Sequence, residues 1–213
     1  MSIALASASQ TIWCAETPLL LASASSTRLS LLRAAGLSVD AEPARVDERG
    51  IEAGLEATRA EPGAIAAALA QAKAMAISTQ HPARWVLGAD QTLDCAGDML
   101  HKPEDRAAAA RQIARLQGRT HRLTSAAVLM KAGVIMASVR SEACLTMREL
   151  SPAAIGRYLD VAGQSVLSSV GAYQLENLGV HLFEAIKGDH FTILGLPLLP
   201  LLAELRRLEL VKP

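Results

Sequence analysis

Aromatic residues are scarce: Phe, Trp and Tyr together make up 3% of the 213 residues. A core without rings has to be built from Ala, Leu, Val and Ile, and a platform for stacking several bases is excluded. Charge of one sign is also missing. Lys plus Arg number 21 and Asp plus Glu number 21, whereas proteins that hold nucleic acid by bulk charge carry a basic surplus. No nucleic-acid partner is therefore expected. Cysteine is rare and odd in number. Cys14, Cys95 and Cys144 form no C-x-x-C pair and no zinc spacing, so they read as small buried hydrophobes in a reducing compartment, the cytoplasm. No apolar run reaches the roughly 18 residues of a membrane span. The apolar segment from Leu194 to Leu205 is broken by Pro197 and Pro200.

What the chain does have is apolar bulk, 51% hydrophobic residues against 20% charged. That supports a sizeable core and is incompatible with disorder. At roughly 150 residues per domain the length gives one large domain or two small lobes. We read residues 1–213 as a single domain in which 1–17 (MSIALASASQTIWCAET) form an N-terminal extension. That extension lacks a basic n-region and reads as a leader or frayed tail, not as a signal peptide.

Pro18 to Ala22 is a continuous apolar run that predicts a buried strand. A Ser-rich turn, Ser23 to Thr27, then leads into a helix from about Arg28 to Ala35, stopped by Gly36. Asp40 to Gly54 is a polar segment holding the acidic pair Asp47 and Glu48. Pro62 opens an Ala-rich helix to about Ile77. Trp85 to Ala89 predicts a second buried strand ending on Asp90, and Gly97-Asp98 a hairpin turn. Pro103 opens a helix to Gln117, and strands follow at about Arg122–Met130 and Val134–Met147. In the latter, Ala143, Leu145 and Met147 share a face opposite Glu142 and Thr146, so one side of the strand is wet. Ser151-Pro152 caps a helix to about Val161, a short strand lies near Val180 to Phe183, and a last helix starts near Leu198. Helices alternating with strands define an α/β fold with a mixed sheet.

Three segments bear chemistry. A helix N-terminus carries free N–H groups and partial positive charge; with Ser23, Ser25, Ser26 and Arg28 it reads as a phosphate cradle, or as an ordinary capped helix with an exposed Arg. Asp90, delivered by an apolar run, stands where α/β sheets bind ligands, and Lys102 in HKP is within reach of the same phosphates or is simply solvated. Glu48 in VDER offers hard oxygen suited to Mg²⁺ or Mn²⁺ bridging to substrate phosphate, or belongs to a solvated acidic loop. His81, His101, His121, His181 and His190 have no paired metal spacing and read as structural or surface residues.

LASASSTRLSLLRAAGL, VDE, AQAKA, GADQ, HKP, LQGRTH, VGAYQLENLG and GDHFTILGLPL occur in this order between about residues 19 and 208. The ordered set closely resembles the Maf family of nucleoside triphosphate pyrophosphatases. The resemblance implies an elongated mixed sheet flanked by helices, two lobes around a deep cleft, and often a homodimer. It implies hydrolysis of nucleoside triphosphates, including modified ones, to monophosphate and pyrophosphate with a divalent metal (Mg or Mn). House-cleaning of nucleotide pools and arrest of cell division through septum formation are the implied cellular roles. A non-catalytic nucleotide-binding regulator is the alternative of a different class. Matched position by position, Ser23 and Arg28 fall on phosphate-binding residues, Lys73 on the lysine of A-x-x-K-A, Asp90 on the proton-accepting aspartate of GAD, and Lys102 on the lysine of K-P. Glu48 falls on the family's acidic residue after the first helix, and with Asp90 it would hold the metal. Ser26 and Thr27 stand where the family has Pro-Arg, so one cation is absent. Ser169 stands where a lysine is usual. Thr27, Gln91 and Glu176 fall on selectivity positions, and Gln91 with Glu176 is similar to the subgroup acting on 7-methyl-GTP.

Overall fold

The computed structural model describes residues 11–58 and 60–212. Seven strands form one mixed sheet: β1 (Leu19–Leu21), β2 (Val39–Ala41), β3 (Trp85–Cys95), β4 (Asp98–Leu100), β5 (Thr120–Lys131), β6 (Val134–Met147) and β7 (Phe183–Lys187). Their order is β2-β1-β3-β5-β6-β7, with β4 paired to β3. β1 is parallel to β2 and β3, and the other pairs are antiparallel. The helices are α1 (Ser26–Ala34), α2 (Glu48–Ala57), α3 (Pro62–Ser78), α4 (Arg106–Leu116), α5 (Pro152–Ala162), α6 (His190–Ile193) and α7 (Leu198–Arg207). This is the mixed α/β architecture expected from the alternation of patterns.

Strand alternation distributes the core. Leu19 and Leu21 of β1 pack with Leu32 of α1 and with Leu198, Leu201 and Leu205 of α7. Leu20 and Ala22 turn to the other face, against Ala66, Ala70 and Ala74 of α3. The distal parts of β3, β5 and β6 pack against Ile113 and Leu116 of α4 and Ile155 and Leu159 of α5. The wet and dry sides of β6 are as its pattern predicts, with Ala143, Leu145 and Met147 buried and Glu142 exposed.

Several expectations need correction. Asp90 does not end its strand: β3 continues to Cys95, because Thr92, Leu93 and Cys95 pair onward with β5 or β4 and are themselves buried. The hairpin turns at Ala96-Gly97, one residue earlier than Gly97-Asp98; both have positive φ (57° and 88°), as a two-residue turn with this twist requires. Glu48 does not lie in a loop. Asp47 caps α2 by accepting from the Gly50 N–H at 3.0 Å, making Glu48 the first helical residue. Pro103 precedes α4, whose cap is Asp105. The stretch before Phe183 is a 3-10 turn (Leu178–Leu182), and the strand follows it. Residues 11–17 are not frayed: Trp13 is buried, bridges to Val211, and donates from Nε1 to the Thr17 carbonyl at 2.8 Å. The indole is the apolar surface that the reading of this segment as a tail undervalued. The first ten residues of the expected extension lie outside the described residues.

Candidate active site

The site originates in unequal strand lengths. β1 pairs with β3 only at Leu20 with Val86 and Leu21 with Leu87, and β4 rejoins β3 only from Leu93. Between these pairings the edge of β3 is open, and a cavity of about 1010 Å³ lies along it. That size suits a nucleotide. The position beyond the carboxyl end of a strand, which ligands favour in such sheets, is here the end of β1.

Arg28 closes the split. Its Nη1 donates to the Ala89 carbonyl at 2.9 Å and to Ser23 Oγ at 3.2 Å, and its Nε donates to the Gly195 carbonyl at 2.7 Å. Burial lowers the Arg28 pKa, and the nearby Asp90 and Glu48 carboxylates oppose that shift; a guanidinium remains charged regardless. Ser25 is the N-cap of α1 and accepts from the Arg28 N–H at 3.2 Å, while Ser23 Oγ takes the Ser25 N–H at 3.2 Å. The Ser26 and Thr27 N–H groups, in the first turn, have no intrahelical acceptor. Ser26 and Thr27 line the cavity, and free N–H groups at a helix start suit an anion.

α3 presents Lys73 to the same cavity. Its Nζ lies 2.6 Å from Asp90 Oδ1 and 3.0 Å from Glu48 Oε2. Lys73 and Asp90 are each 8% exposed, so their desolvated charges depend on one another. Thr92, two residues along the same face of β3, donates to the Pro62 carbonyl at 3.0 Å and fixes the start of α3. Three residues read separately as substrate-binding, metal-binding and catalytic thus form one ion cluster.

Gln91 points to the other face. Its Nε2 lies within donating distance of Ser125 Oγ (3.1 Å) and of the Thr192 (2.9 Å) and Ile193 (3.1 Å) carbonyls, tying β3 to α6. Thr27, Gln91, Lys102 and Glu176 all line the cavity, the last two as exposed residues. Every sequence-derived site residue therefore borders one space.

Two wall residues were missed. Glu52, one turn beyond Glu48 on α2, faces the cavity, and His101 Nδ1 lies 3.5 Å from Glu52 Oε2. Burial raises the Glu52 carboxyl above its ordinary value; His101 draws it down, and Asp90, Glu48 and Glu56 push it up. The signal was the spacing of Glu48, Glu52 and Glu56 at i, i+4 and i+8, visible only once this segment is recognised as a helix. The whole lining carries six carboxylates (Glu48, Glu52, Glu56, Asp90, Glu104, Glu176) against four fixed cations (Arg28, Arg49, Lys73, Lys102).

A helix start with free N–H groups and a lysine–carboxylate cluster, bordering one nucleotide-sized cavity, fit a class, that of α/β proteins built to handle phosphate groups. The family model described as Maf-like protein matches residues 18–208, and the chain belongs to the Maf family. A nucleoside triphosphate pyrophosphatase of Rhodopseudomonas palustris (strain ATCC BAA-98 / CGA009) is 53% identical over 203 residues, covering 94% of this chain and 98% of its own. Another so named, from Nitrobacter winogradskyi, is 51% identical over 195 residues, with 92% and 96% covered. A 7-methyl-GTP pyrophosphatase of Mesorhizobium japonicum is 50% identical over 190 residues, with 89% and 96% covered.

Proposed function

We propose that this chain is a metal-dependent nucleoside triphosphate pyrophosphatase, releasing monophosphate and pyrophosphate. The observation that carries the reading is the Lys73–Asp90–Glu48 cluster, in which Lys73 and Asp90 are buried and Glu48 is exposed, bordering the same cavity as the Ser-rich start of α1. Arg28, Lys102 and the free N–H groups of α1 gather the phosphates and neutralise their charge. The Asp90 carboxylate takes the proton of the attacking water. The water oxygen bonds to phosphorus, the bridge between the α- and β-phosphates breaks, and the electron pair leaves on the departing phosphate. Lys102, on the segment before α4, stabilises charge growing on pyrophosphate.

The residues fit a divalent cation. Glu48 and Asp90 offer two hard oxygens, and Mg²⁺ sites usually combine one or two carboxylates with substrate phosphates. Among the described residues no group of three or more His, Cys, Asp or Glu forms a complete metal cage, consistent with phosphate supplying the remaining ligands. The surplus of carboxylates in the lining also favours a triphosphate that arrives with a cation. Bound there, the metal would supply charge neutralisation and a more acidic water.

A second reading concerns the base. Gln91 and Glu176 border the cavity, and the Mesorhizobium relative is named for 7-methyl-GTP; this supports a guanine-type substrate within the same reaction. The alternative of a nucleotide-binding regulator without turnover leaves the Asp90 carboxylate beside polyanionic phosphate unexplained. No helix among the described residues is long and apolar enough to cross a membrane. Cys14, Cys95 and Cys144 are free thiols, which fits the cytoplasm. The test is to incubate the protein with GTP, UTP and 7-methyl-GTP, with Mg²⁺ or Mn²⁺ and with EDTA, and to resolve products by chromatography. Monophosphate and pyrophosphate, lost in EDTA, are expected; diphosphate and orthophosphate would overturn the assignment.

A further inference from the structure

We propose that Lys73 gates the metal, so that a divalent cation enters only together with a triphosphate and not ahead of it. The inference rests on the pyrophosphatase reading and concerns the order in which that site fills. The Lys73 ammonium stands 2.6 Å from Asp90 Oδ1 and 3.0 Å from Glu48 Oε2, the oxygens that would hold the cation. Cation and ammonium cannot share them at those lengths without placing like charges side by side in a poorly solvated pocket.

Neither Lys73 nor Asp90 can drift away, whereas Glu48 lies exposed at the start of α2. Asp90 lies in the middle of β3, held between Leu87 and Leu93 by unbroken pairing to β5. Lys73 sits on the buried face of α3, whose neighbouring Ala70 and Ala74 are locked against Gly88. Between Lys73 and Asp90 only the lysine side chain can swing, and moving it off Asp90 and the exposed Glu48 without a new acceptor would leave a nearly buried charge unpaired. A phosphate oxygen entering the cavity is such an acceptor. Once it holds the ammonium, Glu48 and Asp90 are free to bind metal, and the phosphates complete the ligand set. Metal and triphosphate affinities are thereby coupled, each raising the other.

The experiment is a titration of the purified protein with Mn²⁺ alone, followed by the electron paramagnetic resonance signal of free aqueous Mn²⁺. The comparison is between wild type, Lys73→Met, Lys73→Gln and Lys73→Met/Asp90→Asn, with thermal melts confirming that each folds. Wild type is expected to bind weakly. Either single variant should bind about tenfold or more tightly, since one like charge has left the site, and the double variant should return to weak binding. Equal Mn²⁺ affinity in wild type and in a folded single variant overturns the gate, as does tight binding that survives loss of Asp90. The readout needs no turnover, so it separates from the function itself: hydrolysis unaffected by chelation would defeat the metal-dependent reading, whatever the titration shows.

Discussion

Gly88 of β3 and Ala70 of α3 are so close that a Cβ built on the glycine would stand 2.0 Å from the Ala70 carbonyl oxygen. The Ala74 amide nitrogen would be 2.7 Å away. Helix and strand meet here backbone to backbone, and the Ala66, Ala70 and Ala74 stripe permits the approach. This contact sets how far the Lys73 ammonium reaches toward Asp90, two residues after Gly88. Gly88→Ala should therefore push α3 off the sheet. Overpacking of this kind costs roughly 2–3 kcal/mol or more, and the melting temperature should fall by about 4–12 °C. Loss of turnover should accompany it, because Lys73 is carried outward. A thermal melt and kcat of the variant check both, and wild-type values for the pair would show that the backbone yields there at no cost.

Replacement of Asp90 by Asn keeps the side-chain shape and removes its charge. The Lys73 ammonium keeps Glu48 as a partner at 3.0 Å, so the fold should hold. Removing a proton acceptor costs about 10²–10⁴-fold in rate, and we expect kcat to fall by that factor with a smaller change in KM. Steady-state kinetics of the folded variant decide it; a wild-type kcat would take Asp90 out of the chemistry.

Much of this site was legible in the sequence, and the part that was not has identifiable causes. The Ser-rich turn, Arg28, Asp90 and Lys102 carry local signals, a cap pattern and an apolar run ending in an acid. Those signals depend on nearest neighbours along the chain. The Lys73–Glu48 contact joins residues on two helices, and the Arg28 bond to Gly195 spans most of the chain; neither has a local signature. The end of β3 was misread for a related reason. Asp90 looks like a stop because it is charged, yet the strand continues, since the charge is matched by Lys73 and the later residues are buried by α4 and β5. Gln91 shows the same limit in reverse. Its place beside Asp90 points to substrate, and it lines the cavity, while its amide nitrogen is engaged with Ser125, Thr192 and Ile193.

Acid sensitivity should originate at His121. Its ring is buried, its Nε2 is 2.7 Å from the Tyr173 hydroxyl, and its Nδ1 has no protein partner. Burial lowers the His121 pKa from 6.5 to about 4. The unfolded chain takes up this proton more readily than the folded one, so the stability His121 preserves is complete above pH 6.5 and is lost as pH falls toward 4. Between pH 7 and pH 5 the loss should reach roughly 2 kcal/mol. Denaturant titrations at the two pH values, compared with His121→Gln, test this. The variant should be less stable at pH 7 and should show a smaller difference between the two; an undiminished difference would assign the acid response to other groups.

Arg28 should not be replaceable by lysine. Its guanidinium reaches the Ala89 and Gly195 carbonyls and Ser23 Oγ at once, and an ammonium has neither the planar fork nor the span for that set. Arg28→Lys keeps the charge, so a purely electrostatic role predicts little change. Loss of a charged hydrogen bond costs roughly 1.5–3 kcal/mol, and we expect a 10- to 100-fold rise in KM, as roughly that energy implies, together with a lower melting temperature. An unchanged KM would mean that Arg28 staples β1 to β3 without shaping the phosphate site.

Discrimination between bases should fall to Glu176. The Gln91 amide nitrogen is already engaged with β5 and α6, whereas Glu176 is exposed, lines the cavity, and makes no ion pair or side-chain hydrogen bond among the described residues. A carboxylate only accepts, and a guanine edge offers N1–H and N2–H₂ side by side. Uracil and thymine offer one ring N–H flanked by carbonyls, which a carboxylate repels. Leaving one such group unpaired costs roughly 1–3 kcal/mol, so Glu176→Gln should lower the ratio of kcat/KM for GTP over UTP by about tenfold. The amide can turn its N–H₂ toward a pyrimidine carbonyl, so the UTP value itself should rise. Both rates are measured on the same preparation, which removes any shared loss of stability or phosphate binding from the ratio. If the ratio stays where it was, Glu176 faces solvent in the complex and the base is read elsewhere in the cavity.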